Sequence, residues 1–184
     1  LPGALPHVRG VVMTLGVIGI LYGSLAACAT KDLKRVIAYS SLAQMGFVTL
    51  GVVSGSMIAT TGAVLLMFNH GVISLGLFVL VGWLVQRRGT YEIAGLRGLQ
   101  GPAPVMAAVF TVVMLASIGL PGLSGFVSEF MILLGTFNVH PWYAVIAGLG
   151  VIGAAAYLLW AYQRVFHGET DAANASVADL STYE

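Results

Sequence analysis

The segment GLPGLSGFVSEFMIL, Gly119 to Leu133, places a Gly/Pro/Ser break and a single carboxylate inside an apolar stretch. Pro121 has no backbone N–H to donate, and the glycines and the serine around it weaken a helical hydrogen-bond ladder. Glu129 follows the break and is itself followed by four apolar residues. The segment therefore predicts a helix that is interrupted near its middle and carries an acid beside the interruption.

The composition predicts that the solvent around this chain is lipid. Of its 184 residues, 58% are hydrophobic and 8% are charged, and the mean hydropathy is +0.94, whereas soluble domains carry about 25% charged residues. The net charge of +1 and the absence of a basic run give no sign of a nucleic-acid partner. The single cysteine, Cys28, excludes an internal disulfide and a thiolate metal site.

Five apolar segments are long enough to cross a bilayer, which takes about 20 residues. Strands are not expected, because alternation is absent and an open sheet edge cannot face lipid. The predicted fold class is therefore an all-α, polytopic transmembrane bundle over residues 1–167, followed by a polar cytoplasmic loop or tail at 168–184. The predicted spans are 8–29, 32–53, 57–86, 103–137 with a break at 119–125, and 141–166.

Two details of these spans carry further expectations. The fourth span is too long for one straight crossing, so a broken helix is predicted, with a re-entrant turn as the alternative. Thr30 is expected to cap the second helix, with Asp32 in its first turn.

Basic residues predict the orientation. With five alternating spans, seven of them fall on one side, which the positive-inside rule makes cytoplasmic, and Arg9 falls near the other. The seven are Lys31, Lys34, Arg35, Arg87, Arg88, Arg97 and Arg164.

Glu129 is the first candidate functional residue, since the other acidic residues lie in loops, at the start of a predicted helix or at the chain end. An ionised carboxylate in hydrocarbon costs several kcal/mol, so such a side chain is expected to face protein or water and is a functional candidate. Desolvation disfavours the charged form of a carboxylate and a nearby cation favours it. We therefore predict proton or ion handling at Glu129; the alternative is a carboxylate that only stabilises the break.

His70 is the second candidate. It follows Asn69 near the middle of the third predicted span, and imidazole titrates near neutral pH through two distinct nitrogens. A proton-relay role is predicted, with a buried packing role as the alternative. A metal site is not expected, because the other three histidines, His7, His140 and His167, lie near the ends of spans.

Lys34 is the third candidate, one turn into the second helix. It could point inward at a proton entrance, or it could anchor the helix at the membrane surface by snorkelling. Polar residues follow at near-helical spacing and could either order water or bond neighbouring helices; they are Tyr39, Ser40, Ser41 and Gln44.

Nothing in the sequence suggests a phosphate loop, a dinucleotide fingerprint or a haem ligand pair, so no cofactor is expected.

Three motifs in order resemble the antiporter-like, proton-translocating membrane subunits of respiratory complex I. They are KDLKRVIAYSSLAQMGFV at 31–48, FNHG at 68–71 and LPGLSGFVSEFMIL at 120–133. The glutamate in Ser128-Glu129-Phe130, where related subunits tend to carry lysine, and Ser74 one turn after His70 are similar to the NuoM-like type, the counterpart of mitochondrial subunit four.

The resemblance implies a fold of about 14 helices built from two inverted five-helix repeats, each with a broken fourth helix. This chain is similar to the second repeat alone, and we expect it to be a fragment. Glu129 would then be the terminal proton carrier towards the periplasm, His70 its link to a central lysine outside this chain, and Lys34 part of the cytoplasmic entrance.

The expected function is a proton-translocating subunit of an NADH:quinone oxidoreductase in the bacterial plasma (inner) membrane. Electron transfer would occur in partner subunits, because this chain carries no redox site; the other expected partners are complex I membrane subunits and lipid. The alternatives are an Mrp-type cation/proton antiporter subunit, a membrane subunit of an energy-converting hydrogenase, and a structural scaffold.

Overall fold

A computed structural model describes residues 5–181, and this part of the chain is α-helical apart from one 3₁₀ turn and loops. The predicted all-α class is confirmed; the only β-type pairing among the described residues is an isolated bridge between Asp32 and Glu92. The helices are α1 (Leu5–Ala29), α2 (Leu33–Val53), α3 (Met57–Arg88), α4 (Pro104–Ile118), α5 (Ser124–Val139) and α6 (Pro141–Phe166), with the 3₁₀ turn at Ile93–Gly95.

Four of these helices, α1, α2, α3 and α6, are long and apolar enough to cross a membrane. The other two, α4 and α5, have 15 and 16 residues. At 1.5 Å per residue each is about 22–24 Å long, less than the roughly 30 Å of the hydrocarbon core. They occupy the region of the fourth predicted span, interrupted between Ile118 and Ser124. That the pair crosses the bilayer as one broken span stays a prediction.

Glycines bring the helix backbones into close contact. A Cβ on Gly62 of α3 would lie 2.8 Å from the Met131 Cβ and 2.9 Å from the Ser128 carbonyl oxygen of α5. A Cβ on Gly23 of α1 would lie 2.8 Å from the backbone nitrogen of Ala43 in α2. Small residues at helix crossings allow the backbones to approach closely. This matters in lipid, because the hydrophobic effect does not drive one membrane helix against another. The packing therefore fixes which face of α3 meets α5 and which face of α1 meets α2.

Apolar side chains also cover the outer faces. On α1 they recur every three or four residues and leave more than half of each side chain exposed; they are Val11, Leu15, Ile18, Tyr22 and Leu25. A continuous apolar stripe of this kind is unfavourable in water and suits lipid or a neighbouring membrane subunit.

The loops join the basic ends of the helices at one end of the bundle. The Leu33 N–H donates to the Tyr91 carbonyl and the Ile93 N–H donates to the Lys31 carbonyl, at 2.9 and 3.0 Å. This pairing brings the α1–α2 loop against the α3–α4 loop. The seven basic residues predicted to share a side lie in these loops or at the adjoining helix ends, so they share one end of the bundle; that this end is cytoplasmic stays a prediction.

Arg9 lies at the other end of the bundle. Its guanidinium packs against Gly55 in the α2–α3 loop, where a Cβ would be 3.0 Å from the guanidinium carbon.

The prediction that Thr30 caps α2 is wrong. Asp32 is the N-cap, and its carboxylate accepts a hydrogen bond from the Arg35 N–H at 2.9 Å. Thr30 lies two residues earlier and its hydroxyl oxygen instead accepts from the Asp32 N–H at 3.4 Å. Asp32 takes the cap because its extended backbone aims the carboxylate at the first free amides of the helix.

The segment after α6 lies against the α3–α4 loop. Asn174 is fully buried, and its side-chain amide donates to the carbonyls of Gly95 and Arg97. The Asp179 carboxylate accepts from the N–H groups of Val105 and Met106 at 2.8 and 2.9 Å.

Asp179 thereby caps α4 from a distant part of the chain. Ala103, at the N-cap position of α4, makes no side-chain cap hydrogen bond. Partial desolvation of Asp179 acts to raise its pKa, but backbone N–H donors and the nearby Arg87 outweigh it and hold the pKa of this carboxyl below its usual value. The first half of the broken helix is thus tied to the tail.

We predict that Gly62→Ala destabilises the bundle, because the new methyl group meets the α5 backbone at less than 3 Å. Overpacking of this kind costs about 1–3 kcal/mol. Gly82→Ala in the same helix is the matched control, since nothing lies within 4 Å of its Cβ position. The midpoint of thermal unfolding in lipid nanodiscs should fall for the first variant and not for the second; equal midpoints would contradict the close α3–α5 contact.

We predict that Asp179→Ala exposes the start of α4. Loss of a carboxylate cap costs about 1 kcal/mol, which corresponds to roughly fivefold faster hydrogen exchange at the Val105 and Met106 amides near neutral pH. Asp171→Ala, an exposed aspartate in the same tail, should leave both amides unchanged.

The same cap should depend on pH. Because the folded-state pKa of Asp179 is lowered, its stabilising contribution is complete above about pH 4 and is lost as the pH falls through the folded-state value. The difference in exchange between parent and Asp179→Ala should therefore vanish in acid. A difference that persists there would contradict capping by the ionised carboxylate.

Candidate functional site

The helix break has a defined geometry. Gly119 ends α4 in the left-handed conformation, with φ +77°, and its N–H donates to the Ala116 carbonyl at 3.3 Å. The Leu120 N–H donates to the Leu115 carbonyl at 3.1 Å, and Gly122 has φ +99°. Such a turn satisfies the last carbonyls of a helix and favours glycine at the positive-φ positions.

A side chain from α3 holds the start of α5. The Asn69 side-chain amide donates to the Ser124 carbonyl at 2.8 Å. Because Asn69 is buried next to His70 in the sequence, the same turn of α3 that carries the histidine also fixes the second half of the broken helix.

Glu129 lies inside the bundle, about one turn beyond the start of α5, with 5% of its surface exposed. Its Oε1 accepts a hydrogen bond from Gln44 Nε2 of α2 at 2.8 Å. A Cβ on Gly119 would lie 2.5 Å from Glu129 Oε2, so the missing side chain at the break leaves the space that the carboxylate occupies. The break and the acid therefore form one structure rather than two separate features.

A small cavity joins Glu129 to His70. Its volume is about 10 Å³, at the lower limit for one water molecule. Four helices contribute polar side chains to its wall, namely Gln44 of α2, His70 of α3, Ser117 of α4 and Glu129 of α5. The structure thus brings together the two residues that the sequence singled out separately, on the inner faces of the bundle.

Tyr157 of α6 extends this polar group. It is 1% exposed, lies within hydrogen-bonding reach of the Ser40 side chain, and is close enough to Glu129 to interact electrostatically. Ser40 also donates to the Ile37 carbonyl at 2.8 Å. The Glu129 site is therefore bordered by α2 and α6 as well as by the broken helix.

This arrangement suits a change of protonation at Glu129. None of the residues that line the cavity is a Lys or Arg, so no fixed cation there holds the carboxylate in its charged form. Desolvation opposes the charge, while the Gln44 amide stabilises it. The two influences therefore act in opposite directions on the charged form of the Glu129 carboxyl group, and His70 lines the same cavity.

Lys34 lies away from this cluster. Its side chain is exposed at the basic end of the bundle, with Nζ 5.3 Å from the centre of the Tyr91 ring. This placement favours the anchoring alternative, and its predicted relay role is not supported by contact with Glu129 or His70.

Within residues 5–181 no three His, Cys, Asp or Glu side chains are grouped as metal ligands would be.

Sequence reasoning missed four features of the site. Ser117 and Tyr157 were not singled out, because a hydroxyl in an apolar helix gives little signal without its neighbours. Gly119 was recognised only as a helix breaker, whereas the structure shows that it also makes room for the carboxylate. Gln44 was noted as one of several polar residues, and its direct bond to Glu129 depends on how α2 and α5 face each other.

Residues 2–154 match the family described as NADH:quinone oxidoreductase/Mrp antiporter, TM. NADH-quinone oxidoreductase subunit M of Rickettsia conorii is 47% identical over 174 residues, which are 94% of this chain and 35% of that protein. Subunit M of Mycobacterium tuberculosis is 38% identical over 180 residues, 97% of this chain and 32% of that protein. The chain spans about a third of the length of these curated relatives.

Solved structures show the same similarity. Respiratory complex I from Thermus thermophilus with bound NADH matches with a TM-score of 0.94 and 42% identity, over 98% of this chain and 38% of that chain. The Mrp complex from Dietzia sp. matches with a TM-score of 0.84 and 23% identity, over 88% of this chain and 30% of that chain, which shows a shared fold alone.

These relatives confirm the resemblance to the NuoM-like type. With its four long apolar helices, the chain is a multi-pass protein of the bacterial inner membrane. It belongs to the NADH:quinone oxidoreductase/Mrp antiporter transmembrane family.

Proposed function

We propose that this chain is part of the proton-translocating subunit M of an NADH:quinone oxidoreductase. The curated relatives named above are subunit M proteins, and the similarity to a complex I structure extends over 98% of this chain. Electron transfer takes place in partner subunits, and this chain contributes to the enzyme only by moving protons. Its partners are the other membrane subunits of the complex and the surrounding lipid.

The observation that carries the proposal is the shared cavity of His70 and Glu129. A buried carboxylate with one amide donor and a neighbouring imidazole can each hold or release a proton. The break leaves the space beside Gly119 that the Glu129 carboxylate occupies, and broken helices recur in ion-handling membrane proteins. The scaffold alternative explains the Gln44 hydrogen bond but gives no reason for a second titratable group at the same cavity.

In this proposal a proton reaches His70, passes to Glu129 and leaves towards the periplasm when neighbouring charges change. Residues 1–167 form the transmembrane domain, with the basic helix ends and the tail 168–184 on the cytoplasmic side. Lys34 lies at that cytoplasmic end, where it anchors α2 or receives protons from water.

The Mrp-type antiporter is the runner-up. The family includes it, and the fold matches, but the identity to the Mrp complex is 23% against 42% for complex I. The membrane-bound sulfane sulfur reductase, an archaeal respiratory complex, also matches in fold, at 22% identity. No feature of this chain favours these or a hydrogenase over complex I.

We predict that Glu129→Gln, made in the native membrane complex that contains this chain, strongly lowers the rate of NADH-driven proton pumping. The amide keeps the shape of the side chain and a hydrogen bond to Gln44, but it cannot carry a proton. Proton uptake and NADH oxidation are measured together in inverted vesicles. The initial rate of uptake should fall at least about tenfold, a lower bound for loss of a proton-transfer group, while the assembled complex persists.

Glu169→Gln, an exposed acid in the tail, is the matched control and should pump at the parent rate. Pumping by Glu129→Gln at the parent rate would make Glu129 a stabiliser of the break and would overturn the proposed role. Sodium-dependent transport without any NADH-driven pumping in parent vesicles would favour the antiporter.

A further inference from the structure

Gln44 makes a contact that helix packing alone does not require. Its Nε2 donates to Glu129 Oε1 at 2.8 Å and lies 3.5 Å from the Ser117 carbonyl oxygen. Both neighbours are acceptors while Glu129 is ionised, so the amide nitrogen faces them and the amide oxygen takes the other position of the planar amide group. The orientation of this side chain is therefore set by its surroundings.

The amide oxygen of Gln44 is left without a partner. Gln44 is 4% exposed, and its Oε1 is buried with no hydrogen bond to any described residue. A buried acceptor without a donor costs about 1–3 kcal/mol, and such atoms are usually satisfied by protein or by ordered water. The same residue lines the cavity of about 10 Å³ that Glu129, His70 and Ser117 also line.

We propose that Gln44 is a positioning residue for Glu129 and that its free Oε1 holds one water molecule in this cavity, linking Glu129 to His70. The inference rests on the proposed proton-transfer role of Glu129 and names the group that sets its geometry. The cavity has room for one water, and the polar side chains around it offer the two to four partners that a buried water needs. The water donates one hydrogen to Gln44 Oε1.

The link supports a balanced proton transfer. A protonated His70 gives its proton to the water oxygen, and the water gives one of its own protons to the Glu129 carboxylate. The water is regenerated, His70 becomes neutral and Glu129 becomes a carboxylic acid. Gln44 neither gains nor loses a proton; its Nε2 holds Glu129 Oε1 and its Oε1 holds the water.

The test compares Gln44→Met with Gln44→Asn in the native complex. Methionine fills nearly the volume of glutamine without a donor or an acceptor, whereas asparagine keeps the amide but is one methylene shorter. If Gln44 acts through its amide, NADH-driven proton uptake falls about tenfold in Gln44→Met, as expected for loss of a hydrogen bond to a charged group, and is partly kept in Gln44→Asn. If Gln44 only fills space, the order is reversed. Gln86→Met, on an exposed site at the end of α3, is the control.

A cryo-EM map of the parent complex that resolves buried waters is the second readout. Density for one water between Gln44, His70 and Glu129, lost in Gln44→Met with the helices unmoved, supports the inference. An empty cavity in the parent, or pumping by Gln44→Met at the rate of Gln86→Met, overturns it. Should Glu129→Gln lose pumping while Gln44→Met keeps it, the inference fails and the proposed function stands; should Glu129→Gln pump normally, the proposed function itself fails.

Discussion

A buried carboxylate in a membrane-embedded helix bundle needs hydrogen-bond donors from the protein itself, and the rest of the site follows from that constraint. Glu129 meets it through the Gln44 amide and through the space left by Gly119 at the helix break. The break in turn is stable because its backbone groups are paired within the turn and because Asn69 binds the first carbonyl of α5. Without the Glu129 carboxylate, the interruption between α4 and α5 would have no proposed functional role.

Much of the fold and the two principal site residues could be predicted from sequence alone. Long apolar segments predict helices. Helix-breaking residues and ionisable residues within those segments can be recognised without knowledge of the tertiary structure. Gly119, His70 and Glu129 were found in this way. The predicted cap of α2 failed by two residues, because Thr30 and Asp32 are both good capping residues and only the backbone conformation decides between them.

The remaining features depend on how distant segments meet. Gln44 and Glu129 are 85 residues apart, and their contact follows from the close glycine-mediated packing of the helices. Asp179 caps α4 from 74 residues away, through a tail whose polar composition predicts only a loop. Lys34 shows the opposite case, because a motif suggested a role in proton transfer and the structure places its side chain on the exposed end of the bundle.

The central claim is that Glu129 takes up and releases a proton during turnover. Infrared difference spectroscopy of the native complex, recorded on addition of NADH in water and in heavy water, tests it most directly. We predict a carboxylic-acid C=O band that changes with turnover, shifts in heavy water and is absent from Glu129→Gln. A parent spectrum in which every turnover-dependent carboxyl band survives in Glu129→Gln would contradict the account.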